Sequence, residues 1–258
     1  MSPETVRRVS PEEEELAKKR EELALLQSDL ADRELYLTNL RSELLAFEGR
    51  YLRQVGVLYA ELDEWNAKIA EVVAEDERTQ EARSAATQAR NQAAESHSAV
   101  QSNAAEASDF TPSAELKSVY REVAKQVHPD LATDDADRRN RTRFMAEANR
   151  AYEQGDLNEM RKILEEFESC PESVKGEGVA ADLVRVIRQI KQIRTRLAQI
   201  ELEIATLIES DIAKLRAKVE AASLQGLDLL AEMAEDVKSR VDVARRRFEV
   251  RSAGITQP

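Results

Sequence analysis

Residues 16–51 read LAKKREELALLQSDLADRELYLTNLRSELLAFEGRY, and every seventh position is apolar or aromatic: Leu16, Leu23, Leu30, Leu37, Leu44 and Tyr51. The step continues through Leu58, Trp65 and Val72, and a second row runs through Leu26, Leu40 and Phe47. A seven-residue repeat held in register this long keeps one seam of a helix against a partner helix. Residues 14–76 are therefore predicted to form a coiled-coil helix. Beyond Tyr51 the second row becomes Val55, Leu62 and Ile69, a four-four step that marks a stutter and locally unwinds a left-handed supercoil. Residues 1–13, ahead of the seam, read as a disordered N-terminus.

Working outward, residues 77–109 turn rich in Ala, Ser, Gln and Glu and lose their large apolar side chains, as in Ser84-Ala-Ala-Thr-Gln-Ala-Arg. With no face to bury, this stretch is expected to be a solvated helix or a linker, with His97 at its surface. After a linker at 170–179, the repeat returns over 180–250. It runs through Leu183, Val186, Ile190, Ile193, Leu197, Ile200, Ile204 and Leu207, and then more weakly through Leu230, Met233, Val237, Val241 and Phe248. Ile208 and Ile212 follow a second stutter, Gly226 interrupts, and 251–258 form a tail. Two seams of similar length around a middle segment are most simply paired as an antiparallel hairpin. Pairing between chains is the rival, because a seam specifies a partner helix without specifying whose.

Composition agrees with an all-α chain. Of 258 residues, 34% are charged and 4% aromatic, with 7 Gly and 6 Pro, which suits long helices and leaves little for a large core. The net charge of −12 repels phosphate backbones and anionic lipid, so neither nucleic acid nor a membrane is an expected partner. The single Cys170 forms no internal disulfide, no Cys/His cluster has zinc spacing, and no secretory h-region or 18-residue apolar run occurs. A reducing, cytoplasmic location is expected.

Residues 110–169 differ from both flanks. Thr111-Pro112 reads as a helix start, and Leu116, Tyr120, Val123, Ala124 and Val127 line one helical face. Lys117, Arg121 and Lys125 form a basic stripe beside it. Pro129 then stops the helix at His128, giving the tripeptide His128-Pro129-Asp130. A second helix carries Phe144, Met145, Ala148, Asn149, Ala151 and Tyr152 and ends at Gly155. Asp156-Leu-Asn-Glu159 opens a short third helix with Met160, Ile163, Leu164 and Phe167 facing inward. The turn at His128 is expected to hold an imidazole and a carboxylate outward.

The segment Tyr120-Arg-Glu-Val-Ala-Lys-Gln-Val-His-Pro-Asp130, followed by Asn149-Arg-Ala-Tyr152, resembles the second helix, signature tripeptide and third helix of J domains, the regulatory module of DnaJ-like proteins. The resemblance covers about 60 residues. The family's first helix, with its tyrosine and Leu-Gly pair, has no counterpart before Leu116. Glu122 and Leu131 stand where basic or polar residues are usual. No Gly/Phe-rich stretch or zinc-binding repeat follows. Either the linker helix or the returning helix covers the hairpin in place of the missing helix, or the domain is cut down.

The resemblance implies a co-chaperone that docks on a DnaK-type ATPase and promotes ATP hydrolysis, without chemistry or a cofactor of its own. His128, Pro129, Asp130, Lys117, Tyr120, Arg121 and Lys125 would contact the chaperone, the basic stripe steering encounter. The coiled coils would select an unknown client or a location, or join copies of the chain. The alternative is a coiled-coil scaffold or assembly factor with a non-functional J-like hairpin. An enzyme is disfavoured by two histidines, one cysteine and no phosphate-binding loop, and a metal at His128 and Asp130 lacks a third ligand.

Overall fold

Ser10 and Glu13 cap one another, each backbone N–H donating to the other's side chain at 2.8 and 3.2 Å, and helix α1 (Pro11–Tyr51) starts there. Helical order thus reaches into the 1–13 segment expected to be disordered. The computed structural model describes residues 10–104, 111–132, 134–169 and 178–255; the rest of the expected N-terminus, linkers and tail, with Cys170, lies outside them. All described secondary structure is helical.

The stutter after Tyr51 takes the form of a π-turn, Leu52–Gly56, from which α2 (Val57–Glu77) continues. One extra residue per turn is a compact way to absorb the change of phase. Before it the row Leu16, Leu23, Leu30, Leu37 and Leu44 is buried; Val55 within it and Leu62 after it are buried, while Leu58 and Trp65 are half-buried. Arg78, at φ 55°, ends α2, and α3 (Gln80–Ala104) folds back on it. Arg90 donates to Glu64 and Glu71, and Ser96 donates to Asp63. Within the 77–109 stretch, Gln80–Ala104 is thus a helix with a buried face. Ala82, Ala86 and Ala93 supply it, their small side chains letting backbones approach where large apolar groups are lacking.

Two units partition the chain, residues 1–42 with 110–208 and residues 43–109 with 209–258, so each draws on both seams and neither follows the expected linear segments. The second unit joins Phe47, Val55 and Leu62 to Val219, Leu230, Val237 and Val241, with Trp65 and Phe248 rings 5.6 Å apart. Its later helices are α8 (Asp211–Ser223), capped by Ser210, and α9 (Leu229–Ile255). The predicted 180–250 rod is therefore three helices.

The first unit holds the hairpin. Helix α4 (Ala114–Val127) is capped by Ser113, whose Oγ accepts from Leu116 N at 3.1 Å, so the helix starts two residues beyond the Thr111-Pro112 signal. A 3-10 turn (Pro129–Leu131) leads to α5 (Asp135–Glu153) and α6 (Leu157–Ser169). Gly155, at φ +70°, and the Asp156 carboxylate accepting from Glu159 N make the predicted stop and start. Then α7 (Val179–Ile208) packs Val186, Ile190, Ile193, Ile200 and Ile204 against Leu16, Leu23, Leu30 and Leu37 of α1.

Helices α1 and α7 run parallel, not as the expected antiparallel pair. Arg20 with Asp182, Arg196 with Glu34 and Arg41 with Glu203 each join positions 162 apart. A constant difference, rather than a constant sum, requires parallel axes. Apolar periodicity has no sense of direction.

Candidate functional site

Tyr120 lies at the centre of the hairpin core, fully buried with Leu116, Val123, Val127, Phe144, Ala148 and Tyr152. Its hydroxyl donates to Asn149 Oδ1 at 2.8 Å and, with its one proton so used, accepts from Thr38 Oγ1 at 3.0 Å. The Tyr152 ring meets it edge-on at 4.8 Å, and the Tyr152 hydroxyl donates to Asn39 Oδ1 at 2.6 Å. Asn149 and Tyr152 are one helical turn apart on α5, which brings both onto the Tyr120 side. Burial pushes the Tyr120 phenol far up, so it stays protonated as a donor.

Thr38 and Asn39 belong to α1, as do Ala31 and Leu35, which join the same core. Helix α1 therefore covers the hairpin, where the sequence offered the linker helix or the returning helix. Ala31, Leu35, Thr38 and Ser42 form a second buried row beside the heptad seam. Uncharged side chains at i, i+4, i+7 and i+11, where a rod would carry charge, were the signal for this face.

Pro129 holds His128 in an extended conformation (φ −56°, ψ 132°), and the chain turns back under the end of α4. The imidazole is 2% exposed, contrary to the outward placement expected from the sequence. Its Nδ1 accepts from the Asp130 backbone N–H at 3.2 Å, which leaves Nε2 to donate to Glu34 Oε1 at 3.1 Å. Glu34 Oε1 also accepts from Arg196 Nε of α7 at 2.7 Å, and Arg196 Nη1 donates to Glu203. Burial pushes the Glu34 carboxyl up, but the bonds from His128 and Arg196 outweigh it and hold the group below its ordinary 4.5. Glu34 of α1, itself held by Arg196 of α7, thus clasps the imidazole.

Helix α7 holds the rest of the turn. Gln189 donates to the Leu131 carbonyl at 3.1 Å, and the Gln192 amide lies between the Asp130 carbonyl oxygen, 2.9 Å away, and the Arg138 guanidinium, 3.0 Å away. Beneath the turn Arg141 donates to the Gln126 carbonyl and to Asp137, tying α5 to the exposed carbonyls at the end of α4. The Asp130 carboxylate keeps 27% of its surface open. It faces a shallow cleft lined by Arg138, Arg188, Lys191 and Arg196.

The predicted contact residues are therefore held very differently. His128 and Tyr120 are buried and have no surface to offer a partner. Pro129 and Asp130 are half-exposed, Lys117 and Lys125 likewise, and the exposed Arg121 donates to Asp32 of α1 at 2.7 Å. Glu34, Arg196, Gln189 and Gln192, which complete the constellation, carried no local signal because each lies on a rod distant in sequence. His97 is exposed, as expected. Among the described residues no group of three or more His, Cys, Asp or Glu is arranged to hold a metal, and no helix is long and apolar enough to cross a membrane. No protein-family model, curated protein or solved structure matches the chain.

Proposed function

We propose that the chain is a J-type co-chaperone of the cytoplasm that stimulates a DnaK-type ATPase, and that its tripeptide is held shut by α1 and α7. The observation that carries this reading is the bond between Tyr120 and Asn149, which makes one buried unit of the two sequence patterns that resemble J domains. His128-Pro129-Asp130 closes that unit at the end of a helix bearing Lys117, Arg121 and Lys125. In the closed state the imidazole is bonded to Glu34, so docking requires α1 and α7 to release it. A client or other partner that competes for the rods would supply that release, coupling recruitment to ATPase stimulation.

Single-turnover ATP hydrolysis by a DnaK-type chaperone tests the reading. Glu34→Gln combined with Arg196→Gln is expected to stimulate hydrolysis more than the wild type. Adding His128→Gln to that variant should remove the gain. A second reading, a scaffold in which the hairpin only braces α1 against α7, is favoured by the occupation of both imidazole nitrogens. It holds if the opened variant, still folded by circular dichroism, stimulates no more than a buffer control.

A further inference from the structure

Most of the cations on α7 are neutralised inside this unit. Arg185 pairs with Asp182, Arg194 with Glu22, and Arg196 with Glu34 and Glu203. Arg188 and Lys191 are different: both are exposed and neither has a carboxylate partner among the described residues. Arg138 of α5 is exposed and unpaired in the same way, and it reaches the same cleft beside the tripeptide from the hairpin side. Like charges from two helices therefore converge on one cleft without a counter-ion between them, an arrangement that mutual repulsion disfavours. The acid lining the cleft is Asp130, and it pairs with none of the three. Asp134 and Asp135 border the adjoining hollow, also without pairing with Arg138 or Arg188, and the Asp134 carboxylate is used to cap α5.

The lining identifies the chemistry of the occupant. Besides the charged groups it consists of Gln192, Thr195 and Gln199, with no aliphatic or aromatic side chain. Such a surface has nothing to hold a base or an acyl chain, so the charge itself is what it recognises. The Gln192 carbonyl oxygen accepts from Arg138 Nη2 at 3.0 Å, which steadies the guanidinium and leaves its other N–H groups open. Three unpaired cations against one carboxylate leave a surplus of two positive charges. A carboxylate would neutralise half of that, whereas a phosphoryl group, at about −1.5 to −2 near neutral pH, matches it. Guanidinium forks also fit phosphate oxygens two at a time.

We infer that this cleft binds a phosphoryl group, as free phosphate or on a phosphorylated side chain, held by Arg138, Arg188 and Lys191. Bound there, the dianion bridges α5 to α7 beside the turn. The inference is independent of the co-chaperone reading. Backbone-amide NMR of the full chain, titrated with inorganic phosphate at constant ionic strength, should show saturable shifts confined to the residues around Asp130, Arg138, Arg188 and Lys191. Arg188→Gln and Lys191→Gln, both at exposed positions, should each weaken binding about tenfold, the loss of one charged hydrogen bond, with helicity unchanged. Asp130→Asn removes the opposing charge and should tighten binding several-fold. Arg139→Gln, on the same face of the charge balance but outside the cleft, should leave it unchanged. A short phosphoserine peptide that binds more tightly than phosphate identifies a protein-borne group as the source; one that binds no more tightly identifies the free anion. The inference is overturned if phosphate gives no saturable shifts at the cleft, if Arg139→Gln weakens binding as much as Arg188→Gln, or if the peptide binds equally well without its phosphate.

Discussion

His128 Nε2 lies 3.1 Å from Oε1 of Glu34, a residue 94 positions earlier in the chain, and both side chains are almost wholly buried. The signature turn is thus tied to the first rod by a hydrogen bond to a carboxylate that also receives Arg196 of α7. Charge-assisted bonds of this kind are shorter and stronger than neutral ones, and one carboxylate joins three segments.

Removing that carboxylate should loosen the whole unit. Glu34→Ala leaves the His128 Nε2–H without its acceptor, while Arg196 retains Glu203. The expected cost is about 2–3 kcal/mol, below the usual figure for a broken buried pair because Arg196 is partly exposed. Chemical denaturation of the two proteins measures it, and a loss under half a kcal/mol would mean the clasp contributes little.

The pH dependence has a definite sign. Glu34 is held below 4.5 in the folded chain, so its ionisation stabilises the fold above that pH. That contribution is lost as pH falls from 4.5 through the folded value. The acid limb of a stability-against-pH curve should therefore flatten in Glu34→Gln. Superimposable limbs for the two proteins would contradict the assignment.

The imidazole also protects a backbone amide. Asp130 N–H donates to His128 Nδ1. Hydrogen exchange at Asp130 should therefore be slow in the wild type and faster by an order of magnitude or more in His128→Ala, since about 1.4 kcal/mol corresponds to tenfold. Equal rates would show that this bond does not hold the turn.

The tyrosine pair predicts a coupling energy. Tyr120→Phe leaves Asn149 Oδ1 and the Thr38 hydroxyl without their shared partner, at about 1–3 kcal/mol. Combined with Thr38→Val, the loss should be smaller than the sum of the single losses, because the buried hydroxyl left stranded by the first change is gone. Strict additivity in the double-mutant cycle would count against direct contact.

Gly155 isolates a backbone effect. A Cβ there would meet nothing within 4 Å, yet φ is +70°. Gly155→Ala should therefore cost about 1–2 kcal/mol from conformation alone. Gly155→Asn should cost less, as Asn tolerates this region at helix ends. Thermal midpoints of the pair give the ranking.

Much of the local structure was legible. The Leu16–Leu44 repeat marked α1 and the face that meets α7, the four-four step after Tyr51 marked the π-turn, and Pro129, Gly155 and Asp156 marked the hairpin's stops and starts. Tyr120, Asn149 and Tyr152 were picked out as parts of one pattern, and their bonds join them in one core. The second face of α1, at Ala31, Leu35 and Thr38, went unread because the stronger heptad signal in the same residues assigned the helix a single seam.

What the amino-acid order determined by itself is what acts within a few residues: helix propensity, the period of apolar side chains, and the steric stops imposed by proline and glycine. These fixed an all-helical chain and the positions of its breaks. Only tertiary structure decided that α1 and α7 run parallel, that α1 roofs the hairpin, and that His128 turns inward to Glu34 rather than outward to solvent. Periodicity encodes which side of a helix is buried but neither the direction nor the identity of what buries it. A carboxylate 94 residues away enters the energy of the turn only once the chain has brought it there.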